Sequence, residues 1–139
     1  MSRLLIDTNV VLDLLAKREP FYKSSAQIFS LADKNKLKLS INSLTIANTN
    51  YVLSRLKTAT EAREILRRFR VLVKIVSLND KIIDLALNDN TFGDFEDGLQ
   101  YYSAIENNMD IILTRDLKGF KSSKIPVMTP DEYLTSMKQ

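Results

Sequence analysis

Five short apolar segments alternate along this chain with longer segments of helical periodicity, and this alternation constrains the fold more than any other feature. Strands are predicted over residues 3–6, 36–41, 74–78, 110–114 and 125–129. Between them, apolar residues recur every three to four positions, which predicts helices. Strands separated by helices favour a parallel sheet covered on both faces. We therefore predict an α/β fold, a three-layer α/β/α sandwich with a mainly parallel central sheet, with residues 1–139 forming a single domain.

The chain contains no histidine and no cysteine. The first absence excludes Ser-His-Asp catalysis and His-ligated zinc or iron sites, and the second excludes disulfides and thiolate chemistry. No apolar run approaches the roughly 18 residues that cross a bilayer, and a chain without cysteine suits a reducing compartment. We therefore expect a cytoplasmic protein with no membrane partner, whose chemistry comes from carboxylates, amides, hydroxyls, lysine and arginine.

Acidic residues stand where predicted strands end and helices begin. Asp7 directly follows the first strand, Asp116 follows the fourth, and Asp94 and Asp97 lie at the start of a late helix. Ligands of open parallel sheets bind at the carboxyl ends of the strands, so these side chains are expected to converge. Converging carboxylates repel one another, and Mg²⁺ or Mn²⁺, which prefers oxygen ligands, relieves that repulsion. Such a cation also activates water for phosphodiester hydrolysis.

Each of these residues also has an ordinary structural interpretation. Asp7 and Asn9 are residue types preferred as helix N-caps. Asp94 and Asp97 are favoured at a helix start by the helix dipole, and Asp116 suits an Asx turn. Only their joint occurrence favours a cation site.

Basic residues are concentrated between residues 52 and 74, where seven of them stand against two acidic residues. This stretch is a candidate surface for phosphate groups. The nucleic-acid-binding candidates are Arg55, Arg63, Arg67 and Arg70. The competing interpretation is a solvated helix face.

Four segments resemble the PIN domain, a metal-dependent nuclease fold that includes the VapC-like toxins of toxin–antitoxin pairs. They are LLIDTNVVLDLL, SLTIANTNYVLSR, DFEDGLQYYSAIENNMDIILTRDLKGF and IPVMTPDEYL. The resemblance implies that Asp7, Asp97 and Asp116 are catalytic and bind Mg²⁺ (or Mn²⁺). It implies that Asn9 and Thr114 line the same pocket. Asp94 would contribute through water.

The same resemblance implies a function. It indicates an endoribonuclease that hydrolyses RNA by metal-activated water, as the toxin component of a toxin–antitoxin pair. The implied partners are an RNA substrate, an antitoxin protein and a second copy in a homodimer.

One position departs from the family pattern. PIN nucleases usually carry a second acid, most often Glu, on the helix after the second strand, and Asn48 stands there. An amide neither neutralises a cation nor acts as a general base, although its oxygen can still coordinate. The alternative is therefore a catalytically weakened PIN module that binds RNA or a partner protein. Glu96 and Asp94 are the acids available for compensation, although Glu96 is expected to point away from Asp97.

Phosphoryl transfer at an aspartate is a third class of function. Haloacid-dehalogenase-like phosphatases need a second acid at the position of Asn9, and receiver domains need a lysine where Arg115 and Asp116 stand. Both classes are therefore disfavoured.

Overall fold

The computed structural model describes residues 1–138 and has a central sheet of five parallel strands. The strands are β1 (Arg3–Ile6), β2 (Lys38–Asn42), β3 (Lys74–Val76), β4 (Ile111–Leu113) and β5 (Val127–Met128). Their order across the sheet is β3-β2-β1-β4-β5, and all four pairings are parallel. The predicted α/β fold with a parallel central sheet is confirmed.

Seven α-helices connect and cover these strands over the described residues. They are α1 (Thr8–Leu15), α2 (Tyr22–Asp33), α3 (Ser43–Leu56), α4 (Ala59–Phe69), α5 (Asp80–Leu87), α6 (Phe95–Glu106) and α7 (Pro130–Ser136). Short 3₁₀ turns follow α4 and β4, at Arg70–Leu72 and Leu117–Phe120. None of the helices within residues 1–138 has both the length and the apolar character needed to cross a membrane.

Local sequence explains where several helices begin and end. The side chains of Asn42, Thr58, Asn79 and Thr129 each accept a hydrogen bond from a backbone N–H in the first turn of the following helix. α2 ends at Asp33, two residues before Asn35, which adopts a left-handed backbone conformation with φ of 59°. Asparagine is among the residues that tolerate this region.

The sheet is buried on both faces. Leu4 and Ile6 of β1 belong to the larger apolar cluster, which they share with residues of α1, α2 and α4. Leu5 points the opposite way and packs with Tyr101 and Ala104 of α6. Successive strand residues point to opposite faces, so this division gives the three layers of the sandwich.

The topology brings residues from distant parts of the chain to one edge of the sheet. Ile6, the last residue of β1, pairs with Leu113, the last residue of β4, and the Asp7 N–H donates to the Leu113 carbonyl at 2.9 Å. Asp7 and Thr114 therefore leave neighbouring strands at the same end. β2 pairs with the other side of β1, and Asn42 ends that strand.

Candidate active site

Asp7 lies at the centre of this edge, with only 8% of its surface exposed, and hydrogen-bond donors surround it. Its Oδ1 accepts from the Thr8 N–H at 2.8 Å and from Gln100 Nε2 at 3.3 Å. Its Oδ2 accepts from Thr114 Oγ1 at 2.8 Å and from Asn9 Nδ2 at 3.5 Å. Burial raises the pKa of Asp7 above its ordinary value of 3.8, although the hydrogen bonds from Thr114 and Thr8 oppose that rise.

Asp97 is half-buried in the first turn of α6, and its pKa is raised to about 7. Burial is the main cause, and the rest comes from the nearby negative charges of Asp7, Asp94, Asp116 and Glu96. Glu96 is exposed, yet its charge also raises the pKa of Asp7. The acidic residues of three chain segments are therefore close enough for their charges to raise the pKa values of Asp7 and Asp97.

Gly119 lies beside two of these carboxylates, those of Asp97 and Asp116. A Cβ atom at this position would lie 2.3 Å from Asp97 Oδ2 and 3.0 Å from Asp116 Oδ2. Glycine therefore leaves the space that both carboxylate oxygens occupy, and any larger residue would force one of them to move.

The ordinary structural roles are present as well. Asp7 accepts from the first N–H of α1, Asp94 accepts from the Glu96 N–H at 2.8 Å, and Asp116 accepts from the Gly119 N–H at 3.3 Å. Capping thus accounts for three of the acidic positions. It does not account for the raised pKa of Asp97, which lies inside α6 beyond the cap.

The two polar residues expected in the pocket lie beside Asp7. Thr114 is fully buried, and its Oγ1 accepts from Asn9 Nδ2 at 3.2 Å and from the Asp116 N–H at 3.0 Å. Its hydroxyl proton is therefore directed to Asp7. Through Thr114, the position of the Asp116 backbone is coupled to that of the Asp7 carboxylate.

A partly buried ion pair that the sequence analysis did not identify holds the segment carrying Asp116. Asp13 of α1 is fully buried and accepts from Arg115 Nε at 2.6 Å and from Nη2 at 3.1 Å. The guanidinium carbon lies 3.9 Å from the centre of the Phe21 ring, a cation–π contact. The Arg115 N–H also donates to Asn9 Oδ1 at 3.2 Å. Arg115 therefore fixes the segment from Thr114 to Asp116 against α1.

α3 contributes to the site through its first turn. The Thr45 hydroxyl lies 3.0 Å from the Thr8 hydroxyl and also accepts from Gln100. Asn48 is half-buried and follows Thr45 by one helical turn. The sequence analysis missed three residues of this site, Asn42, Thr45 and Gln100. A signal was available for Gln100, which lies one turn after Asp97 on the same helix face.

Three of the four basic candidates lie together. Arg63, Arg67 and Arg70 line an open groove of about 420 Å³ between α3 and α4, and Arg67 pairs with Glu64 at 2.8 Å. Arg55 is outside the residues that line this groove, and its guanidinium lies 4.7 Å from the centre of the exposed Tyr51 ring.

The acidic residues fit a hard divalent cation in chemistry, although they are not closed into a cage. Within residues 1–138, no three acidic side chains are assembled tightly enough to form a metal cluster. The side chains around Asp7, Asp97 and Asp116 offer oxygen ligands, which Mg²⁺ and Mn²⁺ prefer, and Mg²⁺ usually keeps several waters. The raised pKa of Asp97 and the approach of two carboxylate oxygens to the Gly119 position both indicate that positive charge is favourable here.

Comparison with known proteins identifies relatives of this chain. Residues 3–118 match the family model of the PIN domain. The chain is 31% identical over 135 residues to Ribonuclease VapC1 of Aquifex aeolicus, covering 95% of this chain and 93% of that protein.

Solved structures share the fold. VapBC from Salmonella typhimurium, bound to DNA, matches with a TM-score of 0.71 and 14% identity over 94% of this chain and 99% of that chain. A toxin–antitoxin complex from Klebsiella pneumoniae matches with a TM-score of 0.69 and 19% identity over 91% of this chain and 97% of that chain.

Proposed function

Because this chain belongs to the PIN domain family, we propose that it is a divalent-cation-dependent endoribonuclease that hydrolyses RNA phosphodiester bonds. The observation that carries the proposal is that Asp97 Oδ2 and Asp116 Oδ2 both approach the Gly119 position, within 2.3 Å and 3.0 Å of where a Cβ atom would lie. The charge of Asp7 also acts on Asp97 and raises its pKa. A relative named as a ribonuclease, 31% identical over most of both chains, supports RNA as the substrate.

Asp7, Asp97 and Asp116 are the residues that would hold Mg²⁺ or Mn²⁺. The cation would supply Lewis acidity for attack by water on the phosphodiester. Thr114 and Gln100 orient the Asp7 carboxylate, and Gly119 leaves room for the oxygens of Asp97 and Asp116. Asn9 and Thr114 line the pocket, and Asp94 contributes its negative charge from the N-cap of α6.

The basic groove between α3 and α4 is the proposed contact for the RNA backbone. Arg63 and Arg70 are exposed there and Arg67 retains a partly exposed partner, so phosphate groups can reach them without desolvating a buried pair. Arg55, stacked on exposed Tyr51, adds a further cation on α3.

We also propose an antitoxin protein as partner, a homodimeric assembly and a cytoplasmic location. The antitoxin is supported by solved relatives that are toxin–antitoxin complexes. An apolar groove of about 730 Å³ between α1, α3 and α4, whose lining includes the accessible Leu15, Leu56 and Leu72, offers it a surface.

Cleavage of a mixed RNA pool by purified protein tests the proposed activity. The wild type is expected to cleave with Mg²⁺ or Mn²⁺ and to stop when EDTA is added, whereas Asp7→Asn, Asp97→Asn and Asp116→Asn are expected to be inactive. Asp33→Asn, an exposed change on α2, is the matched control and should retain activity. Equal cleavage by wild type and the three site variants would attribute the activity to contamination and refute the proposal.

The second candidate function is a catalytically weakened PIN module that binds RNA or a partner protein. The neutral Asn48, at the position of the usual second acid, favours it. A wild-type protein that binds RNA without cleaving it, together with cation-dependent cleavage by Asn48→Glu, would select this function over the first.

A further inference from the structure

A buried chain of hydrogen-bonded amides and hydroxyls lies behind Asp7. Asn42 and Thr45 are fully buried and Gln100 is 5% exposed. Asn42 Nδ2 donates to Gln100 Oε1 at 3.1 Å, and Gln100 Nε2 donates to Asp7 Oδ1 at 3.3 Å and to Thr45 Oγ1 at 3.1 Å. The chain therefore joins the end of β2 to the carboxylate at the end of β1.

Asn42 determines which way the Gln100 amide points. The Oδ1 atom of Asn42 caps α3 by accepting from the Thr45 N–H at 3.0 Å and from the Thr45 hydroxyl at 3.2 Å. The Thr45 N–H can only donate, so the Asn42 atom that it contacts is an oxygen, and the other terminal atom of Asn42 is the donor Nδ2. Gln100 must then present its oxygen to Asn42, which leaves its N–H groups for Asp7 and Thr45.

The hydroxyl groups complete the same proton arrangement. Thr45 has one hydroxyl proton, which it gives to Asn42, so its oxygen accepts from Gln100 and from the Thr8 hydroxyl at 3.0 Å. Each of the two Gln100 N–H groups thus has its own acceptor. Flipping the amide would place its oxygen against the Asp7 carboxylate and leave the Asn42 N–H groups facing another donor.

We propose that Gln100 is a positioning residue, which Asn42 holds in one orientation so that it fixes the Asp7 carboxylate as a ligand for the divalent cation. The proposal rests on the proposed nuclease function. An apolar side chain would fill this position without the cost of burying an amide, so a fold alone does not call for glutamine here. An N–H group aimed at a buried carboxylate does account for it.

The test compares Gln100→Leu and Asn42→Ser with the wild type, using Mn²⁺ as the probe. Serine retains an N-cap acceptor for α3 but removes the donor to Gln100. Electron paramagnetic resonance of free Mn²⁺ gives the affinity, and cleavage kinetics give kcat and KM for RNA. Gln27→Leu, an exposed change on α2, is the matched control.

For Gln100→Leu we expect Mn²⁺ affinity and kcat to fall about 10–100-fold, the range for residues that orient metal ligands, with KM for RNA unchanged. Asn42→Ser should move both quantities in the same direction, and its Gln100 side-chain amide protons should exchange with solvent faster in NMR spectra. Gln27→Leu should match the wild type in every measurement.

The outcomes separate the inference from the function on which it rests. A folded Gln100→Leu with wild-type Mn²⁺ affinity, in a wild type that binds and cleaves, would overturn the positioning role alone. If Gln100→Leu does not fold, Asn42→Ser decides in its place, and unchanged affinity and amide exchange would overturn the role. A wild type that neither binds Mn²⁺ nor cleaves RNA would overturn both proposals.

Discussion

Replacing Gly119 with alanine should displace a site carboxylate while leaving the fold in place. Gly119 lies in the 3₁₀ turn after β4, and no glycine within residues 1–138 has a positive φ. The backbone at this position is therefore open to any residue, and glycine is needed only for the space beside Asp97 and Asp116.

The size of the displacement follows from the contact distances. The alanine Cβ would lie 2.3 Å from Asp97 Oδ2, whereas ordinary contacts begin at 3.4 Å, so that oxygen must move by about 1 Å. α6 is held by buried residues directly after Asp97, namely Gly98, Leu99 and Gln100. The Asp97 side chain therefore moves and the helix does not. A misplacement of about 1 Å at a reacting centre costs on the order of 100-fold in rate.

The assay is cleavage of RNA at saturating substrate and Mg²⁺, with urea unfolding measured in parallel. We expect Gly119→Ala to lose about 100-fold in rate and about 1 kcal/mol or less in unfolding free energy. Gly93→Ala is the matched control, because a Cβ there meets no atom within 4 Å. If Gly119→Ala cleaves RNA as fast as Gly93→Ala, the position of the Asp97 carboxylate does not matter for cleavage, and the proposed role of Asp97 is refuted.

Three further predictions concern stability and are measured by urea unfolding. Gly98→Ala should stabilise the protein by about 0.5–1 kcal/mol, because glycine inside a helix loses more conformational freedom on folding than alanine does. The added Cβ would meet Ala86 at an ordinary 3.5 Å, so no clash offsets this gain, and a loss of stability would contradict the prediction. Asp13→Ala should cost about 1.5–3 kcal/mol by removing the charged hydrogen-bond partner of the partly exposed Arg115. The double change Asp13→Leu with Arg115→Met should recover most of it, and equal losses in both would contradict this. In EDTA, raising the pH from 5 to 8 should lower the unfolding free energy of the wild type by about 1–2 kcal/mol more than that of Asp97→Asn. The pKa of Asp97 is about 7 in the folded protein and 3.8 ordinarily, so the folded state holds a proton that it loses over this pH range, and the figure is reduced because the side chain is partly exposed. Identical pH profiles would contradict this.

The strands and helices could be predicted because burial on both faces makes each parallel strand an apolar run between amphipathic helices. Element ends were less accurate where one residue has two roles. Asn42 pairs with Val76 as the last residue of β2 and also caps α3, so its polar side chain resembled a loop residue. The sequence pattern ended the strand at residue 41 for that reason.

The proximity of the acidic residues could be predicted because Asp7 and Asp116 follow strands and Asp97 starts a helix, and the carboxyl ends of parallel strands lie along one edge of the sheet. Gln100 and the Asp13–Arg115 pair could not be predicted in the same way. Gln100 contacts Asp7 across 93 positions of sequence, and Arg115 contacts Asp13 across 102. Glutamine on a helix and arginine in a turn are ordinary surface residues. The sequence signal for Gln100 was its position one turn after Asp97, and the pairing of Arg115 with Asp13 is evident only in the folded arrangement.

In the proposed nuclease, Asn48 at the position of the usual second acid would change the balance of charge at the site. One fewer carboxylate reduces the repulsion among the remaining acidic side chains, and it also reduces their attraction for a cation. The remaining affinity then depends more strongly on how well the retained carboxylates are aimed. Asp7 is the most buried of them, and hydrogen-bond donors hold both of its oxygens. We therefore expect the loss of a single hydrogen bond that orients Asp7, such as the one from Gln100, to reduce cation affinity more in this site than in a site with an additional carboxylate.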